Sequence, residues 1–594
     1  MARQAAFNGD DASAVSAYSQ ALAGWSQPET EQAFQARLEL ARSLAGTGDT
    51  QGAIAALAPV AAQTIAPELA ADAHIWLGKL LAQAHDPNAA AAHYTAALSG
   101  SGALVSHVSL WLGETFLEAG QPISAVEPFL TAVDASTSDA QEYARREKLA
   151  LAYQLAGRFD EALRQYDAIL SGARIPAYRA RMLWESSQVL LAMQQTGAAY
   201  QRMREVVAGM PNTAAAFSAL NALIDGGQPV DELQRGIVDY YNGAHAAARE
   251  AFKRAIQADS RLNEIRYWAA LNYLKLGSPL DAYRNLDQII AAGPGSPRYG
   301  DAMLKKGDTL AAAGSLDDAV AVYQLLPATA PGDQAAPTAL YNAVRALERA
   351  SRLDEAAQAA LAAQAAYPAA ETAAETLVRG GIALYRMGRY SEAISATQAA
   401  LGAYPADRYA GFAQLWLGKA RLAAGEVVSG QAALQALAQS RPDDYEGRRA
   451  AELLSAWPTP LSIPYDPAVT PPSASDTGTA QAEAEHWLRG WLGISDTVDV
   501  RAAGSDLQAD ARFQRGNALW RLGFQAEARE EFESLRASYA RDPLATYQLT
   551  LHLAGLGLYR SSIGAADTLM RLSPAKSVSG LPAYIAGLLY PRRY

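Results

Sequence analysis

The chain contains no cysteine. Disulfides, thiolate nucleophiles, iron–sulfur clusters and cysteine-ligated zinc are therefore excluded. Histidine is scarce, at seven residues: His74, His85, His93, His107, His245, His486 and His552. No two of them stand three or four apart on an expected helix, so neither a metal nor a cofactor ligand set can be assigned. Basic charge is also short. Lys and Arg total 50 against 61 Asp and Glu, the net charge is −11, and no basic block occurs. These features argue against nucleic acid as a partner. No apolar run reaches the roughly 18 residues a transmembrane helix needs. The N-terminal Met-Ala-Arg-Gln has no apolar core of a signal peptide behind it. What the chain has instead is alanine, within an apolar fraction of 50% and a charged fraction of only 19% over 594 residues. Alanine is the best helix former and lets helices approach closely. A folded, mostly helical chain is expected. The first apolar pattern, Ala14, Val15, Tyr18, Ala21 and Leu22, reads as the second helix of a hairpin whose first helix is nearly missing. The sequence therefore leads to the expectation of a trimmed chain, with an export signal upstream.

A short signature recurs: an apolar helix, a small turn residue, then an acidic–alanine start of a second helix. It is clearest at Gly157-Arg158-Phe159-Asp160-Glu161-Ala162 and returns at Gly388-Arg389-Tyr390-Ser391-Glu392-Ala393. Further copies start at Gly314 and Gly523. Glycine suits the left-handed position after a helix, and acidic residues suit the first turn of the next one. From Gly243 to Gly277 is 34 residues, as is Gly523 to Gly557; Gly314, Ser351, Gly388 and Gly425 follow one another at 37. A period near 34 is that of the tetratricopeptide repeat. The first helix often carries Trp-Leu-Gly, as at Trp76, Trp111 and Trp416. The second carries an aromatic four residues after a small residue: Ala90 and Tyr94, Ala125 and Phe129, Ala162 and Tyr166, Ala319 and Tyr323. The small residue is expected to make room for a neighbour's aromatic ring. Trp76, Trp111, Trp268, Trp416 and Trp520 share one phase and are read as packing between adjacent hairpins.

The predicted fold is all-α, a tetratricopeptide-like α-solenoid of about a dozen helical hairpins. Residues 1–456 form one superhelix. Residues 457–482 are a Pro-rich linker or long loop, because the prolines from Pro458 to Pro472 forbid helix and helical pattern resumes near Gln481. Residues 483–594 are further helical hairpins.

Motifs that would carry chemistry are missing. There is no phosphate-binding Gly-x-x-x-x-Gly-Lys loop, no Gly-x-Ser-x-Gly elbow and no His-Glu-x-x-His. Gly293-Pro294-Gly295-Ser296-Pro297 lies between hairpins and reads as a turn. The basic pairs Arg448-Arg449 and Arg592-Arg593 read as solvated faces. Glu185-Ser186 and Glu533-Ser534 sit on repeat helices, where no desolvated cleft is expected to raise a carboxyl pKa. No catalytic residue is assigned.

Residues 440–594 carry a more specific resemblance. The run His486-Trp487-Leu488-Arg489-Gly490-Trp491-Leu492-Gly493 is followed by Arg512-Phe513-Gln514-Arg515-Gly516-Asn517-Ala518-Leu519-Trp520-Arg521-Leu522-Gly523. The chain closes on Leu589-Tyr590-Pro591-Arg592-Arg593-Tyr594. This resembles the helical superhelix of soluble lytic murein transglycosylases. Asp444-Tyr445-Glu446-Gly447-Arg448-Arg449-Ala450 is similar to that family's Asp-Tyr-Tyr-Gly-x-Arg-Ala element, with Glu446 in place of an aromatic. Residues 1–440 share only the generic repeat. The resemblance implies a non-catalytic superhelical scaffold in the cell envelope or periplasm, with peptidoglycan as partner. It places a lysozyme-like catalytic domain after Tyr594, with Tyr590, Pro591 and Tyr594 at the seam. That family's acid/base glutamate stands in Gln-Glu-Ser; neither Glu185 nor Glu533 has the preceding Gln, so no catalytic residue carries over. The repeats alone support a second reading, a stand-alone, cytoplasmic scaffold holding a protein or peptide in its concave groove. The apolar ending Ile585–Tyr590 favours the first, because a stand-alone array is expected to end on a polar capping helix.

Overall fold

The structure is a computed structural model that describes residues 2, 5, 9–25, 30–258, 260–442, 444–456, 474–575 and 578–590. Among these residues there are 32 α-helices and no strand, so the all-α solenoid is the fold. The hairpin is the unit throughout, exemplified by a first helix Pro67–Gln83 and a second helix Pro87–Ala97. Second and first helices are often started by a side chain that caps the helix. Asp49 accepts from the Gly52 amide, Asp86 from Ala89, Ser138 from Gln141 and Asp542 from Ala545. Each satisfies an amide that the helix itself leaves without a partner.

The turn residues behave as the period requires. Gly157, Gly314, Gly388 and Gly425 all have φ between 72° and 86°, and Ser351, which stands where the others have glycine, has φ 58°. A side chain in this region crowds the following carbonyl. Gly388→Val is therefore expected to destabilise by about 1–3 kcal/mol, and Ser351→Gly to stabilise by about 1 kcal/mol. Urea midpoints of the two variants against the parent test both signs at one turn geometry.

The aromatic ring of the second helix needs room on the first. That room comes from the glycine of the first helix. The ring of Tyr94 lies on Gly78, Phe129 on Gly113, Phe252 on Gly236, Tyr323 on Gly307 and Phe532 on Gly516. A Cβ on Gly516 would stand 2.7 Å from Phe532 Cε1. The Trp-Leu-Gly glycine is thus a contact residue, and the alanine before the aromatic is a neighbouring core position, buried in its own right.

The helices form two compact units. Unit 1 is Met1–Val206, Pro472–Lys576 and Gly580–Tyr594; unit 2 is Val207–Pro471 and Ser577–Ser579. This division differs from the single array 1–456. The cause is burial: the hairpin Ala511–Leu522 and Gln525–Ser538 covers its apolar residues with helices from the first 120 residues, sharing one core of Ile75, Leu104, Val108, Leu112, Leu519, Phe524 and Phe532. The expected linker is also shorter at its far end. Residues 457–473 lie outside the described residues, but helix begins at Ala474 and runs to Leu492. Past Pro472 the sequence offers no proline to prevent it.

Candidate protein-binding faces

In unit 1, Asp72, Trp76 and Lys79 share one face of the helix Pro67–Gln83, and His107 and Trp111 share one face of Val105–Glu118. Spacings of three and four align them. The turn of the returning hairpin is seated on this face. The Trp76 indole donates to the Leu522 carbonyl at 3.2 Å. The Phe524 ring stacks on Trp76 with centroids 5.4 Å apart and meets Trp111 at 5.0 Å. Lys79 Nζ lies 4.1 Å from the Phe524 centroid, a cation–π contact. Phe524 is only 2% exposed. Arg521 pairs with the buried carboxylate of Asp72 at 3.2 Å, and its carbonyl accepts from Arg42 at 2.8 Å. Trp76 and Trp111 therefore serve a segment more than 400 positions away as well as their own hairpins. Sequence spacing gave their phase and could not give that partner.

Beside this face lies a buried set of charges. Glu531, fully enclosed, accepts from Arg515 at 2.7 Å and from Gln141 at 3.1 Å. His107 Nε2 stands 3.6 Å from the same carboxylate. Arg145, also buried, donates to Ser136 at 3.2 Å. Burial pushes the His107 ring down to about 4; Glu531 opposes this, and Arg145 and Arg515 reinforce it. The first helices of unit 1 are thus tied to the returning hairpin by a charge-assisted network. Its residues were not singled out from sequence, where Glu531 is one of four glutamates on the helix Gln525–Ser538 and no local pattern marks it as enclosed.

In unit 2 the first helices Ala336–Arg349, Ala373–Arg386 and Ala410–Ala423 carry a cationic and aromatic face. Trp416 meets Tyr385 edge-on at 5.2 Å, and Lys419 Nζ lies 3.4 Å from the Trp416 centroid. A cavity of about 370 Å³ between two of these helices is lined by Arg345, Glu348, Arg349, Arg379 and Arg386. Arg379 is fixed by Glu348 at 2.9 Å and by Glu375, which also accepts from the Tyr341 hydroxyl at 2.7 Å. Among the described residues Arg345, Arg349 and Arg386 form no ion pair, and all three are exposed.

Other candidates resolve more simply. Glu533 is claimed by Arg536 at 2.8 Å; burial would raise its carboxyl, but hydrogen bonds from Ser561 and Arg536 hold it below the usual range. Burial raises the Glu185 carboxyl, with Arg181 opposing and Glu147 adding. The neighbouring Ser186 hydroxyl is buried and spent on the Leu183 carbonyl. Neither pair forms a nucleophile–base arrangement. His74 and His93, nineteen residues apart on facing helices, bring their Nδ1 atoms to 2.9 Å. Burial lowers both rings. A scan for local spacing could not pair them. Among the described residues no three His, Asp or Glu side chains gather as a metal site would require. Tyr590 is 67% exposed, while Pro591 and Tyr594 lie outside the described residues. Gly293 and Gly295 do form a turn, each with positive φ.

Asp239 is the most perturbed carboxyl of unit 2. It is 4% exposed, and burial pushes it up to about 6; Arg235, at 3.9 Å, and Arg254 oppose this, and Glu232 adds to it. A raised carboxyl pKa favours the fold at low pH, and that contribution is lost as pH rises through about 6. Asp239→Asn is therefore expected to stabilise by about 1–3 kcal/mol at pH 8 and to gain nothing near pH 3.5. Urea unfolding at both pH values checks it.

The tetratricopeptide repeat family matches residues 38–103, 77–140 and 267–334. The chain therefore carries tetratricopeptide repeats in both compact units. No curated protein matches it by sequence. Among solved structures it is similar to a tetratricopeptide repeat protein from Parabacteroides merdae, at 16% identity over 44% of this chain and 94% of that one, with a TM-score of 0.22. The Naa15/Naa10 structure bound to HypK-THB matches at 11% identity over 96% of this chain and 93% of that one, with a TM-score of 0.30. The pilF protein of Pseudomonas aeruginosa matches at 17% identity over 40% and 97%, with a TM-score of 0.20. Among the described residues no helix is long and apolar enough to cross a membrane.

Proposed function

We propose that the chain is a scaffold that holds a protein partner on the first-helix face of its repeats. One observation supports this most: in unit 1 that face already holds polypeptide, with Trp76, Lys79 and Trp111 gathered on Phe524. A solenoid offers such a face in every repeat without needing a deep pocket. A photocrosslinking amino acid at the exposed Arg386, on a first helix, is expected to give a discrete adduct in extracts of the source cells. The same group at Leu361, exposed on a second helix, is expected to give none. Equal adducts from both, or none from either, would overturn the reading.

A second reading is the superhelical region of an envelope lytic transglycosylase, with peptidoglycan as partner and the catalytic domain in a continuing chain. What supports it is the Asp444–Ala450 element. Gly447 there lies against the Arg441 carbonyl so closely that no side chain fits, which gives the glycine of the similar family element a packing reason. Co-sedimentation with purified peptidoglycan tests it. A chain that stays in the supernatant at low and moderate salt removes glycan as the partner.

A further inference from the structure

The tetrapeptide Trp-Leu-Gly-Lys occurs twice, at Trp76–Lys79 in unit 1 and at Trp416–Lys419 in unit 2. Both copies lie on first helices and are buried alike: tryptophan and lysine half-buried, leucine and glycine fully. The glycine is needed in both. A Cβ on Gly78 would stand 2.7 Å from the Tyr94 ring, and one on Gly418 would stand 2.6 Å from Leu434. Each copy thus holds its tryptophan and lysine at the same height on the helix.

The two copies differ in what the lysine covers. Lys79 lies over the Phe524 ring, which is stacked on Trp76. Lys419 lies over its own Trp416 at 3.4 Å from the centroid. A cation and an aromatic face in a half-buried setting attract whatever partner is at hand. In unit 2 the third ring is Tyr385 of the neighbouring first helix, edge-on to Trp416 at 5.2 Å and 5.3 Å from Lys419 Nζ, whereas in unit 1 it is Phe524 of another hairpin.

The charges around the copies differ in the same sense. Glu527, three residues after Phe524, is the carboxylate that acts on Lys79. Burial lowers the Lys419 ammonium, and Arg449 adds to this, although Arg449 is itself paired with Glu452 at 2.8 Å. The adjoining cavity adds Arg345, Arg349 and Arg386, none of them in an ion pair among the described residues. Two of these have a plain structural role: Arg349 and Arg386 sit in the last turns of their helices, where the dipole favours a cation. Arg345 and Lys419 are not in last turns; each lies over an aromatic ring, Arg345 over Tyr341 with its guanidinium 5.5 Å from the centroid. Such a concentration of positive charge is not compositional in a chain of net charge −11.

Resting on the scaffold reading, we propose that Trp416 and Lys419 form a second receptor on the first-helix face of unit 2. It takes a partner polypeptide that presents an aromatic ring followed three residues later by a carboxylate, with further acidic residues beside them. The ring lies on Trp416 with Lys419 turned over it, as Phe524 lies on Trp76. The following carboxylate meets Lys419, and the flanking acids reach the arginine-lined cavity.

The probe is a fluorescein-labelled peptide, Asp-Glu-Leu-Gly-Phe-Ala-Ala-Glu-Glu-Glu, titrated into the full chain at low salt. Binding is expected, with at least roughly tenfold loss when the phenylalanine is replaced by alanine or the glutamates by glutamine. Trp416→Ala and the exposed Arg386→Glu are expected to weaken it by a similar factor, while Trp76→Ala leaves it unchanged because that copy holds Phe524. Arg386→Glu removes no buried contact, so its result stands even where Trp416→Ala perturbs folding. No binding, equal affinity for the control peptides, or indifference to both substitutions overturns the proposal. Inorganic polyphosphate competing at equal charge with no dependence on Trp416 would show a plain anion patch and also overturn it. If crosslinks form at Arg386 but the peptide does not bind, this receptor falls and the scaffold reading stands.

Discussion

Replacing Glu531 with alanine is expected to destabilise unit 1 by about 3–5 kcal/mol. The carboxylate is fully enclosed and accepts from Arg515 and Gln141, with His107 at 3.6 Å. Its removal leaves Arg515, only 5% exposed, without its counter-charge. The wild-type pair need not be more stable than an apolar replacement; the loss comes from breaking one partner away from the other. Urea unfolding followed by tryptophan fluorescence measures it, and Trp76 and Trp111 lie close enough to the returning hairpin to report its release. Glu355→Ala is the contrast, because the Arg352–Glu355 pair is on the surface and is screened by solvent. A Glu531 variant as tolerant as the Glu355 variant would show that the network does not hold the hairpin in place.

The same network makes unit 1 sensitive to acid. His107 is neutral in the fold, with its pKa down to about 4, while an unfolded histidine titrates near 6.5. The unfolded chain therefore binds a proton that the folded chain refuses. Stability is full above about pH 6.5 and falls as pH drops through the window down to about 4. The full difference is about 3 kcal/mol. His74 and His93 are lowered as well and act in the same direction. The contribution of His107 is isolated by comparing the parent with His107→Gln between pH 7 and pH 5. The parent is expected to lose stability across that interval by more than the variant does. Parallel profiles would mean that His107 accepts its proton without leaving its place beside Glu531.

Much of the architecture was legible in the residues. The turn positions from Gly157 to Gly557 follow the repeat period, and the structure gives them positive φ. Even Ser351 could be placed at such a turn by counting, because period outweighs residue type where the helices on both sides fix the register. The Trp-Leu-Gly and aromatic positions were found in sequence, but not that the ring rests on the glycine. The alanine four positions before each aromatic was the visible neighbour, while the glycine that carries the ring stands on the other helix of the hairpin. Helical periodicity reports which residues share a face; it does not report which face of a second helix meets them.

The sequence by itself determined the class of fold, the hairpin as its unit, and the lack of motif-based chemistry, because these depend on local properties: alanine content, spacing, turn residues and short motifs. The division into units and the partners of Trp76, Trp111 and Glu531 were decided only by tertiary structure. They depend on contacts between segments some 400 positions apart, such as Arg521 with Asp72 and Gln141 with Glu531. A repeat looks nearly alike in every copy, so its sequence cannot say which copies meet. The choice rests on burying Phe524 between two tryptophans and closing a set of charges that only the assembled helices remove from water.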